Sequence, residues 1–341
     1  MIKAKKIIIY SYKLPFKKAL LMKDKKSLFR QGYLINIYWE DGINSWGEIA
    51  PFIGLHNEIY EDIPTHFKYL LDNINSINNY QLPSSIAISI EMAKAFKGKS
   101  SLVIDNKLKI CPLLSGNKDD IIEEAKRLTN IESVKLKLGR KELNYEIDLF
   151  NSLVNELPMD VKIRCDINRK WKYEDAIHFA GSVDKTRIEY LEEPLIDFNR
   201  LPDFYEDTNL NYAIDETIYE INNSENIIND LSYFSSASAF IIKPSLFTSV
   251  NQLELIYNKF KSSKSFIFSS AFESGYSMLY YFYLYGIYRN NNKAQGFDTL
   301  KWLADDLLKS RINNQFIYDK GSIFKLDIDS SKLTEIFSDE I

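Results

Sequence analysis

Five strand-like runs, each carrying a charged residue at or near its C-terminal end, recur through the middle of this chain at nearly constant spacing. The first, Glu132-Ser-Val-Lys-Leu-Lys-Leu-Gly139, alternates strictly, which puts Lys135 and Lys137 on one face of a strand and Val134, Leu136 and Leu138 on the other. Taken alone it describes a half-buried strand with two solvated lysines. Val161-Lys-Ile-Arg-Cys-Asp166, Ile188-Glu-Tyr-Leu-Glu-Glu193, Asn211-Tyr-Ala-Ile-Asp215 and Phe240-Ile-Ile-Lys243 follow. The steps from Lys137 to Asp166, Glu192, Asp215 and Lys243 are 29, 26, 23 and 28 residues. A strand, a helix and two short loops fill that length, the repeat of an eight-stranded β/α barrel. Charges returning with that period predict one site at the C-terminal mouth of a barrel.

The chain of 341 residues has room for a barrel of roughly 200–250 residues and about a hundred more. Its net charge of -4 comes with no basic cluster, which argues against nucleic acid and anionic membranes and for a small-molecule partner. Cys111 and Cys165 lie in apolar runs without C-x-x-C spacing, so buried free thiols are expected. Met1-Ile-Lys-Ala-Lys-Lys6 lacks the apolar core of a signal peptide, and the aromatic run from Ser277 to Tyr288 is too short to cross a bilayer. A cytoplasmic protein without membrane insertion is the expectation; oligomeric state has no signature here.

Residues 1–100 break the barrel rhythm. Lys6–Tyr12 and Gly32–Trp39 suggest strands, Glu40-Asp-Gly42 a tight turn, and Glu58–Asn75 and Ser84–Phe96 helices. Leu14–Lys26 and Pro51–Glu58 look like long loops of the lid or binding type. Leu108–Gly116 would be the first barrel strand, Lys264–Ser270 the seventh and Ala294–Thr299 the eighth. Ser224–Asp230 is one of the expected helices between strands. Gln315–Leu326 alternates like a strand returning to the first unit. The expected domains are therefore 1–100, completed by 312–341, and a barrel over 101–311.

Asp166, Glu192 and Asp215 end three successive strands, so their carboxylates can converge. Without histidine or thiolate partners they describe a hard, oxygen-seeking metal site that suits Mg²⁺. Pairing with Arg164, Lys162 or the site lysines is the alternative. Lys135 and Lys137 precede these strands and Lys243 follows them, so the lysines face one another across the mouth. A lysine enclosed near a second ammonium and a metal cation has its neutral form favoured, which makes it a candidate base. A base facing a divalent cation can remove a proton next to a carboxylate.

The K-x-K of Lys135 and Lys137, Asp166-Ile-Asn168, Leu191-Glu-Glu-Pro194, Asp215-Glu216 and Ile242-Lys-Pro244 together resemble the enolase superfamily, in its muconate-cycloisomerase-like subgroup. Gly47-Glu-Ile-Ala-Pro51 and Ile90-Glu-Met-Ala93 are similar to its capping domain and first linking helix. The resemblance implies an α/β fold: a modified (β/α)8-type TIM barrel with an N-terminal α+β capping domain. It implies Mg²⁺, with Mn²⁺ as substitute, on Asp166, Glu192 and Asp215, and favours Glu192 over Glu193. It implies a small-molecule carboxylate substrate, with Lys137 transferring the proton, Lys135 tuning it and Lys243 stabilising charge. Arg164 and Asn168 would orient the metal site, and Ser269, Ser270 and Gly296 would hold the ligand's polar ends.

Arg164-x-Asp166-x-Asn168-Arg-x-Trp171, Ser269-Ser270 followed by Glu273-Ser274, and Gly296-Phe-Asp-Thr-Leu300 are similar to the branch that dehydrates a cyclohexadiene carboxylate in menaquinone biosynthesis, a carbon–oxygen lyase. Rival reactions are N-acylamino-acid racemisation and muconate-type cycloisomerisation; a binding barrel without activity is the non-enzymatic alternative. His56, His66 and His178 avoid the strand ends, which argues against a histidine base. Strand eight carries the single Asp298 in place of the D-x-D of dipeptide epimerases. Cys165-Asp-Ile stands where Leu-Asp-Ala is usual, and Ala-Phe follows Ser269-Ser270.

Overall fold

A computed structural model describes residues 3–22, 25–75, 82–221 and 226–341. β1 (Ala4–Met22) and β2 (Lys25–Trp39) pair antiparallel, and β3 (Asn44–Ile49) adds to β2 after a turn in which Gly42 takes φ +81. Alternate residues Ile7, Ile9, Ile35, Ile37 and Ile49 are buried against α1 (Phe67–Asn73) and α2 (Ser84–Phe96). The expected helix from Glu58 begins instead as a 3-10 turn, Tyr60–His66, with Pro64 inside it. Gly47 lets β3 and α2 touch, since a Cβ there would lie 1.9 Å from the Ser89 carbonyl oxygen.

The expected loop Leu14–Lys26 is mostly paired strand. Leu14 faces Arg30, Pro15 faces Phe29 and Leu20 faces Ser27, with an irregularity between Pro15 and Leu20; residues 23–24 lie outside the described residues. The cause is burial: Leu14 and Phe16 pack with Phe52, Leu303 and Leu307 where the sheet meets the barrel.

After β4 (Ser101–Val103) and β5 (Leu108–Lys109) come seven parallel strands in sequential order: β6 (Leu113–Leu114), β7 (Ser133–Lys137), β8 (Lys162–Asp166), β9 (Ile188–Glu192), β10 (Tyr212–Ile214), β11 (Ala239–Ile242) and β12 (Ser265–Phe268). The helices between them are α3 (Lys118–Lys126), α4 (Leu143–Glu156), α5 (Tyr173–Ser182), α6 (Leu201–Thr208), α7 (Glu216–Glu220), α8 (Ile227–Ser232) and α9 (Val250–Phe260), with α10 (Gly275–Tyr288) after β12. The helix expected at Ser224–Asp230 thus lies slightly later, and residues 222–225 fall outside the described residues. Gln295 and Gly296 close the barrel as a short eighth strand. Gly296 N–H donates to Phe268 at 2.7 Å, and Gln295 exchanges 2.8 Å bonds with Lys109 and Cys111. Tyr190, Ala213, Ala239, Ile241 and Ile267 fill the inside of the barrel, so its interior is a packed core.

The tail takes a different course from the expected one. Within Gln315–Leu326, β13 (Ile317–Tyr318) pairs with β5 and β14 (Ile323–Lys325) with β4, both on the connection into the barrel. The strand that joins the N-terminal sheet is β15 (Leu333–Glu340), antiparallel to β1. Phe324 and Tyr318 pack edge-on and both meet Phe282 of α10, an aromatic anchor that holds the earlier segment where it is.

Candidate active site

Lys135 and Lys137 point from β7 toward the mouth, and Asp166 ends the adjacent β8. Lys137 Nζ lies 2.5 Å and Lys135 Nζ 2.7 Å from the same Asp166 Oδ2. Lys135 Nζ also lies 2.8 Å from Glu192 Oε1 at the end of β9. On the other side Lys243, just after β11, forms an ion pair with Asp215 at the end of β10. The structure thus brings together all six charged residues picked out by barrel spacing, with the three carboxylates almost fully buried.

The electrostatics follow from that crowding. Burial opposes the charge on Asp166, but the ammoniums of Lys135 and Lys137 hold its carboxyl well below the usual range. Burial, then repulsion from Asp166, pushes Glu192 up. Burial pushes Asp215 up as well, against the pull of Lys243. Burial and the neighbouring Lys135 ammonium lower Lys137, though Asp166 opposes them. Lys135 and Lys243 resist the same burial because carboxylates surround them, and both are raised.

Sequence reasoning gave no role to a fourth carboxylate at this mouth, named only as the neighbour of Asp215. Glu216, the first residue of α7, accepts from Asn168 Nδ2 at 2.9 Å, while Asn168 Oδ1 accepts from Lys137 Nζ at 3.0 Å. Its signal was adjacency to Asp215; its contact with the loop after β8 is not local in sequence. Asp166 Oδ1, Glu192 Oε2, Asp215 Oδ1 and Glu216 Oε2 are buried without a hydrogen-bond partner. Four hard anionic oxygens left over at one mouth suit a divalent cation such as Mg²⁺. Among the described residues no group of three carboxylate, imidazole or thiol side chains stands ready to hold a metal, and lysine ammoniums lie among these carboxylates.

Glu193 takes a different path from Glu192. At φ +41 it turns away beneath α7, accepting from the Asp215 and Thr217 amides at 2.8 Å and from Arg169 at 2.9 Å. A cavity of 860 Å³ opens beside Lys243, Glu216 and Tyr219 and is roofed by the 54–58 segment, including His56.

Residues 4–96 match the family described as MenC, N-terminal domain, and residues 120–232 match the enolase C-terminal domain-like family. o-Succinylbenzoate synthase of Vibrio cholerae serotype O1 (strain M66-2) is 28% identical over 78% of this chain and 81% of its own length. The enzyme of the same name from Pasteurella multocida is 25% identical over 97% of this chain and 98% of its own. The crystal structure of o-succinylbenzoate synthase from Thermosynechococcus elongatus, complexed with Mg in the active site, superposes with a TM-score of 0.72 at 20% identity, covering 90% of this chain and 97% of that one. Over residues 120–232 the chain is thus similar to the enolase C-terminal domain-like family, and over most of its length to o-succinylbenzoate synthases.

Within this site the remaining expected residues divide. Asn168 is at the mouth, in the left-handed region at φ +50. Ser269 and Ser270 are buried at the end of β12 with both hydroxyls bonded to the Gly296 carbonyl, at 3.2 and 3.3 Å, and Ser270 also to Thr299. Gly296 is required there, since a Cβ would fall 2.7 Å from Ser269 Oγ. Arg164 is a correction. It shares the inner face with Asp166 but sits one inward position deeper, bonded to Glu189 at 2.7 Å and to the Ala294 carbonyl at 2.7 Å, against the Tyr190 ring. Its guanidinium is part of the barrel floor, and its hydrogen bonds go to Glu189 and Ala294 and not to the carboxylate trio. Asp298 is likewise engaged, by the Leu113 amide and Lys301, each at 2.8 Å.

Proposed function

We propose that this chain is an o-succinylbenzoate synthase, a magnesium-dependent lyase that dehydrates 2-succinyl-6-hydroxy-2,4-cyclohexadiene-1-carboxylate to o-succinylbenzoate in menaquinone biosynthesis. The observation that carries the reading is the pair Lys137 and Lys243, held on opposite sides of one buried carboxylate cluster. The relatives of the same name, aligned over most of the chain, point to the same reaction.

Asp166, Glu192 and Asp215 would hold Mg²⁺, and Mn²⁺ would serve in its place. Once bound, the cation supplies positive charge to a substrate carboxylate that takes on enediolate character. Lys137 removes the proton from the ring carbon bearing that carboxylate. It returns the proton to the hydroxyl leaving the neighbouring carbon on the same face, so water departs and the ring becomes aromatic. Lys243, kept charged by Asp215, stabilises the developing charge from the opposite face. The N-terminal unit 1–100, completed by β15, would cap the barrel and help exclude water from the mouth. Ser269, Ser270 and Gly296 would meet the substrate's succinyl end. The enzyme would work in the cytoplasm.

A second reading is favoured by the same pair of lysines, because bases on both faces of one carbon suffice for N-acylamino-acid racemisation. The deciding assay follows loss of diene absorbance in parallel with racemisation of N-succinyl amino acids. Chelation should abolish the first and added Mg²⁺ restore it. Fast racemisation without dehydration would make the second reading the right one.

A further inference from the structure

A single polar connection runs from the base on β7 to the first turn of α7: Lys137 Nζ to Asn168 Oδ1 at 3.0 Å, then Asn168 Nδ2 to Glu216 Oε1 at 2.9 Å. Its polarity is forced. An ammonium only donates, so the amide must turn its oxygen to Lys137, which leaves its nitrogen to donate to Glu216. Aspartate at position 168 would set two carboxylates against each other, and alanine would cut the connection. Asn168 is held for this at φ +50, a backbone state that asparagine enters more readily than most residues.

α7 is itself tied down on both sides. Glu193 fixes its start through the Asp215 and Thr217 amides at 2.8 Å and Thr217 Oγ1 at 3.0 Å. At its other end Tyr219 donates its hydroxyl proton to the Ile241 carbonyl at 2.8 Å and accepts the backbone N–H of Lys243. One short helix therefore reaches one lysine through Asn168 and carries the backbone of the other.

We propose that Glu216, acting through Asn168, is the positioning residue for Lys137 in proton transfer, and that α7 sets the spacing of the two lysines. This rests on the dehydration reading above. Proton transfer needs the Lys137 nitrogen within reach of the reacting carbon, as the amine that takes the proton and then as the ammonium that returns it, and a misplacement of about 1 Å costs on the order of 100-fold in rate.

The experiment compares kcat, KM and thermal midpoint at saturating Mg²⁺ with the rate at which Lys137 is reductively methylated, read by mass spectrometry. Glu216→Ala and Asn168→Ala should each lower kcat about 100-fold with little change in KM, and the double variant should be no worse than either. Glu216→Gln keeps an acceptor oxygen for the Asn168 amide and should recover most of the rate. Both alanine variants should methylate Lys137 faster than the parent, with Lys135 unchanged and the thermal midpoint preserved. Losses that multiply in the double variant, fall on KM, disappear at higher Mg²⁺, or leave Lys137 labelling unchanged would overturn the inference. A parent chain that fails to dehydrate the diene would count against the functional reading alone, since the labelling comparison needs no turnover.

Discussion

Lys135 on β7 reaches past β8 to Glu192 on β9, its Nζ 2.8 Å from Oε1. The same ammonium lies 2.7 Å from Asp166, so a cation already stands between two of the three carboxylates assigned to the metal. Lys135→Met removes that competitor and leaves the carboxylates under-compensated. Mg²⁺ should then bind at least about tenfold more tightly by calorimetry, a modest share of what Coulomb's law allows at this distance. Weaker binding in the variant would mean that Lys135 organises the carboxylates instead of competing for them.

Lys137 and Lys243 should fail differently. Burial and Lys135 lower Lys137, which suits a group that gives and takes a proton, whereas Asp215 keeps Lys243 charged. Lys137→Ala should cost about 10³–10⁴ in kcat, with arginine unable to replace it. Lys243→Ala should cost about 10²–10³, with partial recovery in Lys243→Arg because a fixed cation is what that position contributes. Equal rescue by arginine at both positions would show that neither lysine transfers the proton.

The charged strand ends were legible because a parallel barrel forces residues one β/α unit apart to the same mouth, whatever loops intervene. Depth was not legible. Arg164 and Asp166 share a face by alternation, yet two residues of strand separate them by about 6–7 Å along the barrel, enough to put one on the floor and the other at the mouth. Glu216 was named beside Asp215 but given no role, because its partner Asn168 lies beyond an intervening β/α unit and only the turn of α7 brings the two together. The paired strands over 14–22 and 25–26 read as a loop in the sequence because what settles them is distant in sequence: Leu14 and Phe16 are buried against Leu303.

The floor position of Arg164 makes a stability prediction. Its guanidinium is almost wholly buried, and Arg164→Met would strip Glu189 of that partner while leaving Lys293 at 3.1 Å. Because Lys293 remains, the cost should be about 2–4 kcal/mol, somewhat below that of orphaning a buried ion outright. Urea unfolding measures it, and KM of the folded variant should stay near that of the parent. A variant of full stability with weakened substrate binding would return Arg164 to the ligand site.

Asp306 supplies the pH dependence. It accepts from the Gly275 amide at 2.8 Å and the Leu307 amide at 2.7 Å through one oxygen, and burial pushes it up to about 6 against the pull of those amides. A carboxyl raised in the folded state binds its proton more tightly there than in the unfolded chain. Its contribution to stability is therefore full below the ordinary aspartate value of 3.8 and is lost as pH climbs through about 6. Above that range the charged form costs about 3 kcal/mol. Asp306→Asn keeps an acceptor for both amides but cannot ionise. It should match the parent in unfolding free energy near pH 4 and exceed it by up to about 3 kcal/mol at pH 8. Parallel pH profiles for the two proteins between those limits would mean that Asp306 is ionised in the folded chain throughout, and that the helix start it faces compensates its burial.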